Sequence, residues 1–154
     1  MGKKREMKNR FHGLFMISLL SSACTVGFAA ILLESPILGL LYIAVVCAAL
    51  LTIVYCFCGK CLCRLDACGC IFPGKLSRHL PERKGSSYTS WDIGAVLISL
   101  TAIALFPQFW LFKRGVLLVT FWLLFLGAHA EIMLFVCRRC GNERCPMFRR
   151  IHQK

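Results

Sequence analysis

The 154-residue chain lacks any polar stretch long enough to form a separate soluble domain. Its longest polar stretch, between the second and third apolar runs, has about thirty residues, too few to bury a core of its own. Charge is scarce in four long apolar runs, and hydrophobic residues make up 58% of the whole chain. Blocks of charge between such runs are typical of a multi-pass membrane protein.

Acidic residues are also few: seven Asp and Glu stand against nineteen Lys and Arg, which gives a formal net charge of +12. In a soluble protein this excess would suggest binding to nucleic acid. Here the basic residues flank the apolar runs, where they fix topology and meet anionic lipid headgroups. We therefore expect these basic residues to bind the lipid bilayer and not nucleic acid.

Conventional catalytic motifs are missing as well. The sequence has no hydrolase triad, no phosphate-binding loop and no paired carboxylates. The sequence therefore gives no support to a hydrolytic function. Whether the chain is an enzyme stays open, and any redox activity would be electron transfer.

The four apolar runs predict transmembrane helices at 11–33, 36–57, 92–112 and 115–136. Each has about twenty residues, enough to cross a hydrocarbon core of about 30 Å at 1.5 Å per residue. In lipid such runs must be helical, because an open sheet would leave backbone groups unpaired. The first run continues nine residues past Cys24. That is too long for the apolar region of a signal peptide, so we expect a membrane anchor.

The distribution of Lys and Arg predicts the orientation of the chain in a cell membrane. Five precede the first run, six lie between the second and third, six follow the fourth, and only Lys113 and Arg114 lie in the other loops. The positive-inside rule therefore places both termini and the middle loop in the cytosol. Two short connections predict antiparallel neighbours. The predicted fold is all-α, an up-down-up-down bundle of four transmembrane helices with a basic N-terminal tail (1–10), a cytosolic Cys-rich loop (58–91) and a cytosolic Cys-rich tail (137–154).

Three local signals predict where helices begin or break. Pro36 suits the first turn of the second helix. Ser90 is the expected N-cap of the third helix, with Asp92 in its first turn. Pro107 is expected to kink the third helix or end it early.

Eight of the eleven cysteines fall into two clusters, each starting where a helix leaves the membrane on the same side. The loop cluster is Cys58, Cys61, Cys63, Cys68 and Cys70, and the tail cluster is Cys137, Cys140 and Cys145. In one small bundle the two clusters can lie within about 10 Å of each other. Because cytosolic thiols are kept reduced, we expect metal binding or thiol chemistry and not a structural disulfide. The surrounding Arg and Lys residues favour the thiolate form that binds metal.

Eight cysteines match two four-thiolate sites, which suit either iron–sulfur clusters or zinc. Cys145 and Pro146 resemble the Cys-Pro that closes the cluster motifs of bacterial ferredoxins. The tail cluster departs from ferredoxin spacing, so a further ligand must come from elsewhere, and the loop cluster can supply it. The resemblance implies iron–sulfur clusters. For clusters at a cytosolic membrane face, the leading expectation is a membrane electron-transfer subunit that works with an acidic soluble redox partner or a quinone. Zinc sites that staple the loop to the tail, and thiol redox or soft-metal handling, remain the alternatives.

His129 and Glu131 are ionisable residues inside the fourth run, about 12 Å and 9 Å along a helix from Cys137. Ionisable groups within a membrane are candidates for function. We take both as candidate catalytic residues that carry protons or bind a quinone head group. The alternative is that Glu131 pairs with a basic residue or reaches water, and that His129 hydrogen-bonds a neighbouring helix.

Overall fold

The computed structural model describes residues 2–61 and 88–139 and the single positions 76, 79, 142 and 145; for residues 2–10 and 139 it describes the backbone alone. All regular structure in these residues is helical. The five α-helices are α1 (Gly2–Leu32), α2 (Pro36–Cys56), α3 (Ser90–Leu105), α4 (Gln108–Phe112) and α5 (Gly115–Glu131). Short turns extend two of them: 3-10 turns at Cys58–Lys60 and Cys137–Arg139 and a π turn at Ile132–Val136.

Within the described residues, four helical segments are long and apolar enough to cross a membrane, as the sequence predicts. They contain 22, 25, 23 and 22 residues and lie at Phe11–Leu32, Pro36–Lys60, Ser90–Phe112 and Gly115–Val136. Large apolar side chains cover their outer surface, among them Ile37, Trp91 and Val116. Soluble monomers rarely expose so much contiguous apolar surface, so this outer face fits contact with lipid.

A short turn joins α1 to α2. Ser35 caps α2, its hydroxyl accepting from the backbone N–H of Leu38 at 3.5 Å, and Pro36 lies in the first helical turn as predicted. Proline is suited to this position because its missing N–H would have had no helical partner. At the next short connection, Lys113 pairs with Glu34 at 2.9 Å. The two short connections therefore meet at one end of the bundle.

Pro107 interrupts the third segment, as expected from its missing N–H. Helix α3 ends at Leu105 and α4 begins at Gln108. Two carbonyl groups before the break bond to side chains. The hydroxyl of Tyr42 donates to the Ile103 carbonyl at 3.3 Å, and the amide of Gln108 donates to the Ala104 carbonyl at 2.6 Å. These two carbonyl groups are therefore paired within the protein, as an apolar environment requires.

Helix α1 packs most extensively on α5, α2 packs on α3, and α1 also contacts α2. The face of α1 toward its neighbours carries the small residues Ala23, Gly27 and Ala30, all buried. Small residues let helix backbones approach closely in membrane proteins. Opposite them, the buried rings of Phe121 and Phe125 on α5 stack with centroids 5.7 Å apart.

Gly27 marks the tightest of these contacts, and a Val side chain there should destabilise the bundle. A Cβ at this position would lie 3.0 Å from the Tyr42 hydroxyl and 3.2 Å from Cβ of Pro107. We expect Gly27→Val to cost about 1–3 kcal/mol through overpacking. The measurement is the thermal unfolding midpoint in detergent. Gly94→Val is the matched control, since no described atom lies within 4 Å of a Cβ there; equal losses in both variants would contradict the packing.

Candidate functional site

Asn142 joins the C-terminal tail to the middle loop. Its side-chain amide nitrogen donates to the sulfur of Cys61 at 3.4 Å and to the hydroxyl of Tyr88 at 3.0 Å. Asn142 is only 2% exposed. Its backbone carbonyl accepts from the N–H of Cys145 at 3.0 Å. Asn142 therefore links both ends of the loop to the tail.

Tyr88 lies at the centre of this contact. Its hydroxyl donates to the carbonyl of Phe57 at 3.2 Å, and the two rings lie 5.2 Å apart. Burial raises the pKa of Tyr88 well above its ordinary value, and the negative charge of Cys61, Cys145 and Cys58 as thiolates raises it further. Through Asn142, Tyr88 is linked both to Cys61 of the loop cluster and to Cys145 of the tail cluster.

The structure places only part of the predicted ligand set. Cys137 lies, half-buried, in the 3-10 turn that follows the fourth segment. The other predicted ligands Cys63, Cys68, Cys70 and Cys140 lie outside the described residues. Within the described part of the chain, no group of three or more His, Cys, Asp and Glu side chains is arranged to hold a metal ion. The four-thiolate centre therefore stays a prediction.

A buried ion pair anchors the turn that carries Cys58 and Cys61. Lys60 lies between these two cysteines, and its ammonium group hydrogen-bonds the carboxylate of Asp92. The two side chains are 1% and 5% exposed. Asp92 is fixed in turn by Thr89, whose backbone N–H and hydroxyl donate to the carboxylate at 2.8 and 2.7 Å. The thiol-bearing turn is therefore tied to the start of α3.

The same contacts correct the predicted start of α3. The N-cap is Thr89 and not Ser90, because Thr89 and Asp92 form a reciprocal capping box. The Thr-x-x-Asp spacing in the sequence is a signature of this motif. The sequence carries no comparable signal that Lys60 would be the partner of Asp92.

A second polar contact joins α1 to the end of α5. Nδ1 of His12 lies 3.1 Å from Oε1 of Glu131, and the two side chains are 14% and 11% exposed. The His12 ring stacks on Phe135, with centroids 4.6 Å apart. Glu131 directly precedes the π turn at Ile132–Val136, and such turns are frequent at functional sites.

The two candidate catalytic residues therefore have different surroundings. Glu131 pairs with a residue of another helix, whereas Nδ1 of His129 donates to the carbonyl of Phe125 in its own helix at 2.9 Å. The His129 ring also lies 4.5 Å from the Phe125 ring. His12, which the sequence analysis did not select, is the ionisable partner of Glu131. A catalytic role for either candidate stays a prediction.

The three cysteines outside the clusters occupy three kinds of position. Cys24 is half-buried beside Tyr42, Cys56 is buried at the end of α2, and Cys47 is exposed on the outer face of the bundle. Cys47 is therefore suited as a control in experiments on the clustered thiols.

The chemistry of the chain's own residues is the basis for assigning a function. No protein-family model, curated protein or solved structure matches this chain. The features that indicate a function are the thiols of two chain segments, the hydrogen bond from Asn142 to the sulfur of Cys61, and the buried ion pair of Lys60 that fixes the turn between Cys58 and Cys61.

The buried ion pair should contribute far more to stability than the exposed one. Lys60→Met removes one hydrogen-bonded cation from the buried Asp92 carboxylate, which we expect to cost about 3–5 kcal/mol. Lys113→Met removes the pair with Glu34, whose side chains are 50% and 34% exposed, and should cost less than about 1 kcal/mol. The measurement is the free energy of unfolding in mixed detergent micelles. A loss in Lys60→Met no larger than in Lys113→Met would contradict this view of the turn.

Proposed function

We propose that this chain is a multi-pass membrane protein that holds one or two thiolate-ligated metal centres where the middle loop meets the C-terminal tail. Iron–sulfur clusters are the favoured metal group and electron transfer the favoured role, between an acidic soluble partner and a membrane partner or quinone. The observation that carries the proposal is the contact of Asn142 with Cys61 and Tyr88. It joins the two segments whose cysteines are needed for a shared centre.

The spacing of the thiols supports metal binding. Cys58 and Cys61 are three residues apart, and their turn is anchored by the Lys60 pair at the membrane end of the loop. Two thiolates at this spacing can reach one metal centre, as in zinc ribbons and ferredoxin motifs. Cys145 is linked to Tyr88 through Asn142, whose carbonyl accepts from the Cys145 N–H and whose amide donates to the Tyr88 hydroxyl. A ligand set drawn from both clusters needs such a link.

The hydrogen bond to Cys61 supports the electron-transfer role in particular. Hydrogen bonds to cysteine sulfur are among the means by which proteins set the reduction potential of an iron–sulfur cluster. His12 and Glu131 form a polar pair where α1 meets the end of α5. Both side chains belong to types that can take up and release protons. Proton exchange beside a redox centre is useful where the acceptor is a quinone, because quinone reduction consumes protons.

A structural zinc site is the second candidate, and the burial of Asn142 favours it. The Asn142 side chain is 2% exposed and hydrogen-bonds Cys61 and Tyr88, so it fixes the tail to the loop. Zinc bound by four thiolates would serve the same purpose, since structural zinc sites stabilise small loop-rich regions directly. In that case the basic loop and tail would present an interaction surface to anionic lipid.

We further propose an up-down-up-down bundle in the cell membrane with both termini in the cytosol. The pair of Lys113 with Glu34 supports the topology, because it brings the two short connections to one end. Seventeen of the nineteen Lys and Arg residues lie in the other three polar segments, which supports the orientation. The thiol clusters then lie at the reducing face of the membrane.

Protein purified without oxygen should contain iron and acid-labile sulfide and absorb visible light, and the absorption should bleach on reduction. Cys61→Ser and Cys145→Ser should each remove most of this signal, because each deletes a ligand of the shared centre. Cys47→Ser should leave the signal nearly unchanged, because this thiol is exposed on the outer face of the bundle and belongs to neither cluster. The measurements are metal and sulfide analysis together with the visible spectrum.

Other results of the metal and sulfide analysis would indicate a different function. Stoichiometric zinc without sulfide would contradict electron transfer and support the structural role, because Zn²⁺ has no redox chemistry. Neither metal, with thiols that cycle against a disulfide, would contradict both metal candidates and support thiol redox chemistry.

The orientation is tested by labelling thiols in intact cells. A membrane-impermeant reagent should not label the loop cluster or the tail cluster until the membrane is permeabilised. A single Cys introduced as Arg114→Cys, in the short connection between the last two spans, is the positive control and should be labelled from outside. Labelling of the native clusters in intact cells would reverse the proposed orientation.

A further inference from the structure

We infer that Asn142 is a positioning residue of the proposed metal centre: it holds the tail against the loop and donates a hydrogen bond to the sulfur of Cys61. This inference rests on the proposed function, which it deepens by naming a residue outside the cysteines that sets the properties of the centre. It concerns a residue that no sequence motif singles out.

The hydrogen bonds of Tyr88 determine which way the Asn142 amide faces. Tyr88 has one hydroxyl hydrogen, and it is donated to the Phe57 carbonyl. The hydroxyl oxygen can therefore only accept from Asn142, so the atom that faces it must be the amide nitrogen. This nitrogen carries two hydrogens, and the other bond that it makes is to the sulfur of Cys61.

The remaining atom of the amide shows what this orientation costs. Oδ1 of Asn142 is buried and has no hydrogen-bond partner among the described residues. Burying an unpaired acceptor is unfavourable, so the arrangement persists only if the two donated bonds outweigh it. Turning the amide over would point the oxygen at the Tyr88 oxygen, which has no hydrogen left to donate. The side chain is therefore held in place by what its nitrogen donates.

Cys61 accepts this hydrogen bond, and sulfur accepts best as a thiolate or a metal-bound thiolate, which carries negative charge. A donated hydrogen bond stabilises the more negatively charged, reduced form of a metal–thiolate centre. Asn142 should therefore raise the reduction potential of the centre. Because the same nitrogen bonds Tyr88, it also fixes the distance between the tail and the loop.

The test compares three variants of the full chain, purified anaerobically in detergent. Asn142→Leu removes the donor without adding charge and keeps a similar volume, and Asn142→Asp removes the donor and adds a charge. Cys47→Ser is the control, because this thiol is exposed on the outer face of the bundle and belongs to neither cluster. The readouts are the iron and sulfide content, the midpoint potential, and the rate at which Cys61 is alkylated at one fixed pH, measured by peptide mass spectrometry.

We expect Asn142→Leu and Asn142→Asp to shift the potential to more negative values and Cys47→Ser to leave it near that of the native protein. We expect Cys61 to be alkylated several-fold faster in both Asn142 variants, because the tail no longer covers it. Loss of the centre in both Asn142 variants, with retention in Cys47→Ser, would also support the positioning role. A shift in Asn142→Asp alone would reflect the added charge and overturn the role of the hydrogen bond.

Failure of the inference is distinguishable from failure of the proposed function. Native protein without metal or sulfide contradicts the proposed function and, with it, any effect of Asn142 on a reduction potential. Alkylation then decides only whether Asn142 holds the tail over Cys61. Faster alkylation of Cys61 in the Asn142 variants than in Cys47→Ser supports that contact, and equal rates overturn it. Metal-loaded variants with native potential and native alkylation rate would overturn the inference while leaving the proposed function in place.

Discussion

Backbone polar groups without water must find partners within the protein, and the arrangement of this bundle depends on that constraint. Pro107 breaks the third segment and changes the pairing of the carbonyl groups before it. Tyr42 and Gln108 bond two of these groups, and the indole N–H of Trp122 donates to Gln108 at 3.2 Å. The contact from Tyr42 requires α2 to lie against the break. It also requires the neighbouring position on α1 to be small, as Gly27 is.

Ionisable groups obey the same constraint at the other end of the bundle. The pair of Lys60 with Asp92 and the contact of His12 with Glu131 each join two different elements, and each has little exposure to solvent. A buried charge is tolerated only when it is paired and hydrogen-bonded. These contacts therefore fix how the ends of the helices meet, and one of them fixes the turn between Cys58 and Cys61.

Much of this fold follows from the sequence, because the signals for it are local. Runs of apolar residues define the four segments, Pro107 marks the break, and Pro36 marks the start of α2. The contacts of Asn142, Lys60 and His12 depend on how each helix is rotated about its axis. Neighbouring helices decide that rotation, and in a helix that is apolar on every side the hydrophobic pattern says little about it. The sequence therefore points to the cysteines, whereas the residues that position them emerge only from the packing.

The position of the Asn142 contact links the proposed centre to the assembly of the bundle. The tail follows α5, which packs on α1, and the loop follows α2, which packs on α3. Asn142 therefore joins one helix pair to the other at the end where the polypeptide leaves the apolar region. A metal bound by thiolates from both segments would bind the assembled bundle and not the separated pairs. Mass action then requires metal binding to stabilise the assembled state by an amount set by its affinity. Such a centre would add to the close packing at Gly27 and to the buried polar pairs in selecting one arrangement of the helices, as well as perform its chemistry.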